Sequence, residues 1–432
     1  MQVTSSFKND CVKQTKGGAS LKKVFTSLMM IMMCLVLISP TVFAEQSPVD
    51  IAKQEHQDID KQYNPKGMIV TTKDGQILYD YHANTQVDPA STTKLMTMNL
   101  VYDDIKSGKI KMNDKVKITS RYEKMSELPN LTTFPLKEGT TVTINQLLKQ
   151  AALESSNAAT LVLAEHIDGS SSKFTDRMNQ KAKDLGMKDT KFTNPSGANN
   201  KILKPYEPKS YKDDTISHTT ARDMSLLSNH ILNAHPDVLK ITKLSKDKQS
   251  NQELHNTNTS LPNEADGMKD VDGLKTGTSD NGYNLELTAK RNHLRIVTGI
   301  FNVKPYPDEQ AKHARQKLAN ALTEHAFKQY DYRKVISKGE HEIDGKKYEV
   351  KKDLYDLVPK DKSKYQLKVS DDNQLYVDYD RQFTKGHQAP TVEVEPTTHW
   401  GMIFLYVFMA IAGLVLLGML TIIGIKIYYK KF

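Results

Sequence analysis

From Trp400 to Ile425 the chain runs for 26 residues without a charged side chain. An α-helix needs about 20 such residues to cross the hydrocarbon core of a bilayer. Whatever precedes this stretch is therefore expected to fold as a body tethered by its tail. Trp400 stands where an interfacial aromatic belongs, and Lys426, Lys430 and Lys431 follow directly. The bias of positive charge toward the cytoplasm predicts a transmembrane helix over 400–425 and a cytoplasmic tail over 426–432. The body is then held on the outer face of the cell membrane. A buried core helix this long and apolar would be out of place in a chain of mean hydropathy −0.55.

At the other end, Lys22-Lys23 precede an apolar run from Val24 to Ile38, followed by Ser39-Pro40 and by Val42 and Ala44. A basic start, a short apolar core and small residues before a cut mark a secretory signal. Residues 1–44 are read as that signal, since the apolar core is too short to span a bilayer. Met32-Met33 before Cys34 speak against a lipoprotein signal.

The formal net charge of +9 first suggests nucleic acid or a membrane surface as partner. Its distribution removes nucleic acid: residues 1–44 carry +4 and residues 400–432 carry +3, so 45–399 carry only +2. Both cysteines, Cys11 and Cys34, lie in the leader. The body therefore has no disulfide, no thiolate metal site and no cysteine nucleophile.

Within the body, Gly67–Thr72 and Gln76–Tyr81 flank a Lys73-Asp-Gly75 turn and read as a β-hairpin. Leu95, Met98, Tyr102 and Ile105 recur at helical spacing until Gly108. Thr143 with Gln146 three residues on is a capping box. Helices are expected at 157–168, 172–185, 219–234 and 308–328. Strands are expected at Asp272–Thr276, Tyr283–Lys290 and Leu294–Val303. Strands early and late with helices between them predict an α/β class: an antiparallel sheet flanked by helices, with a mostly helical subdomain. This body is taken as 45–331. Turn signals and short alternating segments predict a small β-rich domain over 332–381. Pro390, Pro396 and alternating Val and Glu suggest an extended linker over 382–399.

Three short motifs occur in order: Ser91-Thr-Thr-Lys94, Ser155-Ser-Asn157 and Lys275-Thr-Gly277. Each alone is weak, because an N-terminal hydroxyl, a helix cap and an edge-strand lysine are ordinary structural devices. Together they make chemical sense. Ser91 at a helix start shares a face with Lys94 one turn on, and the helix N-terminus favours a developing oxyanion. A lysine acting as base needs burial and a second cation to lower its pKa, and Lys275 can be that cation. Ser155 can relay a proton. Asn157 offers a donor and an acceptor to a peptide. Along a strand, Lys275 and Gly277 face one side, Thr276 and Thr278 the other. Gly277 would let a ligand backbone approach closely.

These motifs, 64 and 120 residues apart from nucleophile to second and from second to third, resemble the signature set of penicillin-recognising serine enzymes. Phe192-Thr-Asn-Pro-Ser-Gly197, Thr220-Ala-Arg-Asp-Met224 and Asp272-Gly-Leu-Lys-Thr-Gly277 narrow the resemblance to low-molecular-mass D-alanyl-D-alanine carboxypeptidases. Lys338-Gly-Glu, Asp353-Leu-Tyr-Asp-Leu-Val-Pro359 and Pro390-Thr-Val-Glu-Val394 look most like the penicillin-binding protein 4 type of staphylococci. The resemblance implies a β-lactamase/transpeptidase-like fold and peptidoglycan stem peptides as substrate. Ser91 would form an acyl-enzyme by expelling D-alanine, and β-lactam antibiotics would acylate the same serine. Lys94 would be the base and Ser155 the proton relay. Asn157 would position the substrate amide. Lys275 and Thr276 or Thr278 would bind the substrate's terminal carboxylate, and Gly277 would also be part of the substrate-binding strand. Backbone N–H groups of Ser91 and Thr278 would form the oxyanion hole. Neither a metal nor another cofactor is implied.

A β-lactamase is the nearest rival, but Glu127-Leu-Pro-Asn130 only loosely resembles the deacylating loop of that class and precedes Ser155. A β-lactam-sensing receptor would need a signalling part beyond Ile425. A non-catalytic wall-anchored binding protein would follow if Lys94 were solvated.

Overall fold

The computed structural model describes residues 46–249, 251–397 and 400–431, so the expected signal at 1–44 lies outside the described residues. Helix α1 (Pro48–Gln54) leads into the hairpin β1 (Gly67–Thr72) and β2 (Gln76–Tyr81). The 3-10 turn Ala90–Thr93 feeds α2 (Lys94–Lys106). The longer helices that follow are α3 (Ile144–Ala152), α4 (Asn157–Asp168) and α5 (Ser171–Leu185). After α6 (Ala221–Ala234) come the meander β3 (Val271–Ser279), β4 (Gly282–Arg291) and β5 (Leu294–Val303), and then α7 (Glu309–Gln329).

Local chemistry sets the helix ends. Thr143 Oγ1 accepts from Gln146 N while Gln146 Oε1 accepts from Thr143 N, which is the expected capping box on α3. Thr220 caps α6 and Asp308 caps α7. Gly169 and Gly186 stop α4 and α5 in the left-handed conformation that only glycine adopts without strain.

The sheet is buried on both faces. Ile69, Leu274, Val297 and Phe301 pack into a core with α2, α4 and α6. Met68, Val70, Leu285, Leu287 and Ile300 pack into a second core with α1 and α7. Period-2 alternation along each strand produces both cores. Every pairing in the sheet is antiparallel, as the fold class expected.

Eight strands follow α7: β6 (Tyr330–Ile336), β7 (Gly339–Ile343), β8 (Lys346–Val350), β9 (Leu354–Pro359), β10 (Gln366–Val369), β11 (Gln374–Asp378), β12 (Gln382–Phe383) and β13 (Val392–Pro396). The main sheet has the order β12–β2–β1–β5–β4–β3, and a second sheet has the order β7–β8–β13–β11–β10. Ile343, Val350, Leu375, Val377 and Val394 form the second sheet's own core.

The expected linker at 382–399 is corrected here. Its first two residues pair with β2 as an edge strand of the main sheet, and 392–396 form the central strand of the second sheet. The alternating Val and Glu are strand periodicity, with Val394 buried at 1% exposure while Glu393 and Glu395 face solvent. Pro390 lies outside the ladder and Pro396 ends it. Gln76 Nε2 donates to Tyr379 Oη at 2.7 Å, and Tyr379 Oη donates to Leu357 O at 2.6 Å, tying β2 of the main sheet to the residue after β11 and to β9.

The last helix, α8 (Trp400–Lys430), is long and apolar enough over Phe404–Lys430 to cross a membrane, with mean hydropathy 2.5 and none of that window buried.

Candidate active site

The 3-10 turn Ala90–Thr93 packs against edge strand β3. A Cβ on Gly277 would stand 2.7 Å from Pro89 O and 3.2 Å from Thr92 N. Gly277 therefore admits the close approach of the nucleophile turn itself. Ala90 sits in the left-handed region at φ 46°, a conformation that strains a residue with a Cβ by about 1–2 kcal/mol. Asp88 holds it there: its Oδ1 accepts from Ala90 N at 2.8 Å. Asn281 and Asn284 in turn donate to Asp88 Oδ2 and Asp88 O.

The turn presents Ser91 beside Lys94, which is fully buried at the start of α2. Lys94 Nζ lies 2.9 Å from Ser91 Oγ, 2.8 Å from Asn157 Oδ1 and 2.7 Å from Ser196 O. Burial, then the Lys275 charge, hold its ammonium well below the usual lysine range. Three partners suit a neutral amine well. Two N–H groups go to Asn157 Oδ1 and Ser196 O, and the lone pair is left for the Ser91 proton.

Lys275 is also fully buried, and its pKa is lowered to about 7 by burial and by Arg315. Arg315, on α7, is 2% exposed and donates to Asn284 O at 3.1 Å and Gly277 O at 3.4 Å. Thr276 shares a 2.5 Å hydrogen bond with Thr257, and Lys275 Nζ donates to Thr276 Oγ1 at 3.4 Å. Thr278 is exposed at the end of the same strand.

Ser155 lies just before α4 at φ 60° and is 7% exposed, but it is not among the three partners of Lys94. Asn157 is engaged on both ends of its amide: Oδ1 accepts from Lys94, and Nδ2 donates to Thr132 O at 2.8 Å. As the structure stands, Asn157 positions Lys94 and the 132 loop rather than leaving both groups open to a peptide.

The fold thus gathers Ser91, Lys94, Asn157 and Lys275 from a turn, a helix start and an edge strand. Sequence reasoning overlooked Ser196, Asn194, Asp88 and Arg315. Asn194 builds the turn that aims Ser196 O at Lys94, its Oδ1 accepting from Ser196 N at 2.9 Å and Gly197 N at 2.8 Å. Thr97 Oγ1 donates to Pro195 O at 2.7 Å and fixes the turn to α2. The Phe192–Gly197 run carried this signal, but the acting group is a backbone carbonyl. The arrangement places a serine hydroxyl against a buried lysine whose pKa is held down, with a second buried lysine that could receive an anion.

Residues 51–305 match the family model described as D-alanyl-D-alanine carboxypeptidase, and residues 332–395 match a domain of unknown function. The D-alanyl-D-alanine carboxypeptidase DacF of Bacillus subtilis is 28% identical over 318 residues, 72% of each chain. DacA of Haemophilus influenzae is 31% identical over 61% of this chain and 62% of its own. The structure of the peptidoglycan synthesis regulatory factor PBP3 from Streptococcus pneumoniae superposes with a TM-score of 0.66 at 24% identity, over 76% of this chain and 97% of that one, and shows the shared fold. Penicillin-binding protein D2 of Listeria monocytogenes in its cefotaxime-bound form is 26% identical, with a TM-score of 0.52 over 61% of this chain and 97% of that one.

Proposed function

The chain belongs to the D-alanyl-D-alanine carboxypeptidase family, and we propose that it removes the terminal D-alanine of peptidoglycan stem peptides through an acyl-enzyme on Ser91. The observation that carries this reading is the fully buried Lys94 amine 2.9 Å from Ser91 Oγ, with Lys275 buried behind it.

Ser91 Oγ attacks the carbonyl of the penultimate D-alanine as its proton passes to Lys94 Nζ. The tetrahedral oxyanion is met by backbone N–H groups of Ser91 and Thr278. Collapse breaks the amide bond, and the leaving nitrogen takes a proton from Lys94 by way of Ser155. Water then attacks the ester and regenerates Ser91. An amine of a neighbouring stem in place of water gives transpeptidation. Lys275, with Thr276 and Thr278, receives the substrate carboxylate, and Gly277 keeps the nucleophile turn seated against this strand. β-Lactams enter by the same attack, and the cefotaxime complex of the Listeria relative supports that part of the reading. The apolar α8 anchors the protein in the cell membrane with its body on the wall side, and the three C-terminal lysines support a cytoplasmic tail. A secretory signal at 1–44 and a β-rich appendage after the catalytic body complete the organisation we propose.

The test is intact mass of the full chain in detergent, and of Ser91→Ala, after mixing with benzylpenicillin. A long-lived adduct of one penicillin on the wild type, absent from the variant, is expected. No adduct would overturn the reading, and rapid drug consumption with only a transient adduct would turn it to a β-lactamase.

A further inference from the structure

Away from Ser91, the far end of α2 meets the end of α6 in a cluster of two imidazoles and one carboxylate. Asp103 lies nine residues beyond Lys94, about 13 Å along the helix at 1.5 Å per residue. His230 lies one turn before the end of α6, and His235 caps that helix. One donor atom from each of the three lies within 4.8 Å of the other two.

His235 is the buried member of the cluster, while Asp103 and His230 are half-buried. His235 is 5% exposed, and Tyr102 stacks on it at 5.9 Å with the rings 24° apart. His235 Nε2 lies 2.7 Å from Asp103 Oδ1. Lys181 takes the other carboxylate oxygen, Nζ to Oδ2 at 2.9 Å. His230 Nε2 is buried with no hydrogen-bond partner, which marks the cluster as incomplete. The two rings stand edge to face at 6.3 Å between centroids.

We propose that Asp103, His230 and His235 bind a zinc-type divalent cation that pins the end of α6 to α2. Two nitrogens and one oxygen, with a water as fourth ligand, suit Zn²⁺, whereas Ca²⁺ and Mg²⁺ require oxygen ligands. Bonds of about 2.0 Å in a tetrahedron hold donors roughly 3.3 Å apart. The donors must therefore close by up to about 1.5 Å, a movement that side-chain rotation supplies. The cation would take the place of the direct contact between His235 Nε2 and Asp103 Oδ1. Lys181 fixes the carboxylate from the outer side, as a hydrogen-bonded partner orients a metal ligand. Its charge limits affinity, so binding is expected in the micromolar range rather than tighter. The site is structural: it braces the helix that carries Lys94 without touching substrate.

The test uses the full chain in detergent, without a polyhistidine tag and stripped with EDTA. Zn²⁺ titrated calorimetrically is expected to bind with one micromolar equivalent, to raise the unfolding temperature, and to be replaceable by Co²⁺ with visible absorption bands. His230→Gln and His235→Gln should each weaken Zn²⁺ by tenfold or more while still forming the penicillin adduct, which reports the fold independently of the metal. The zinc K-edge spectrum of the wild type should show two imidazole ligands whether or not the variants fold. Absence of a stoichiometric site, an edge spectrum without two imidazoles, or undiminished affinity in a variant that still acylates would each overturn the proposal.

Discussion

Replacing Gly197 with alanine tests whether the Ser196 carbonyl positions Lys94. Gly197 has φ +78°, and a Cβ there would stand 1.9 Å from Ala90 O and 2.6 Å from Thr93 Oγ1. The first clash is with backbone, and it falls on the residue just before the nucleophile. Because a real Cβ stays at least 3.0 Å from such an atom, the 194–198 turn and the Ala90–Thr93 turn must part by more than about 1 Å. The 2.7 Å contact between Lys94 Nζ and Ser196 O then opens, and Ser91 moves relative to its base. A misplacement of about 1 Å costs on the order of 100-fold in rate, or roughly 2.7 kcal/mol. The left-handed backbone adds about 1 kcal/mol of lost stability. Gly197→Ala should therefore be acylated by benzylpenicillin about 100-fold more slowly, read by quenched-flow intact mass, while thermal unfolding shows a folded protein of modestly lower stability. A folded variant acylated at close to the wild-type rate would refute the role given to Ser196.

Removing the charge of Lys275 as Lys275→Met takes away the second cause of the lowered Lys94 pKa. Since acylation needs neutral Lys94, the acid limb of the pH–rate profile should move to higher pH, whatever happens to its height; an unmoved limb would count against coupling of the two lysines. Glu286 is fully buried, and burial raises its carboxyl to about 8, so the stability its protonated form contributes is lost as pH rises from about 4.5 through 8. Glu286→Gln should match the wild type near pH 4 and exceed it by a few kcal/mol at pH 8 and above, checked by unfolding at both pH values. Thr143→Ala removes the acceptor for Gln146 N at the start of α3 and should lower stability by about 1 kcal/mol in thermal unfolding, with the penicillin adduct still forming.

How far the site could be read from sequence follows from what kind of group does the work. Ser91, Lys94 and Lys275 act through side chains with distinctive chemistry, so their spacing on a helix start and a strand was readable, as was the need for two cations to be buried together. The Thr143 capping box was readable because both halves of it are side chains at fixed offset. Ser196 was not, because it contributes a carbonyl that any residue could offer, aimed by the side chain of Asn194. Arg315 was hidden inside the periodicity of α7, where a charged residue normally marks the solvent face. Asn281 sits in the Ser279-Asp-Asn281 run that merely imitates the second motif, yet it braces the site through Asp88. Residues 392–396 were misread for a different reason: a strand's partners, here β8 and β11, are distant in sequence, and alternation alone does not separate a paired strand from an extended chain. The same distinction explains the division of labour among the cations. Arg315 lowers the Lys275 pKa, and Lys275 lowers that of Lys94, so each charge makes the next easier to neutralise. Burial is the larger cause of the lowered pKa of both lysines, and the neighbouring charge adds to it in each case.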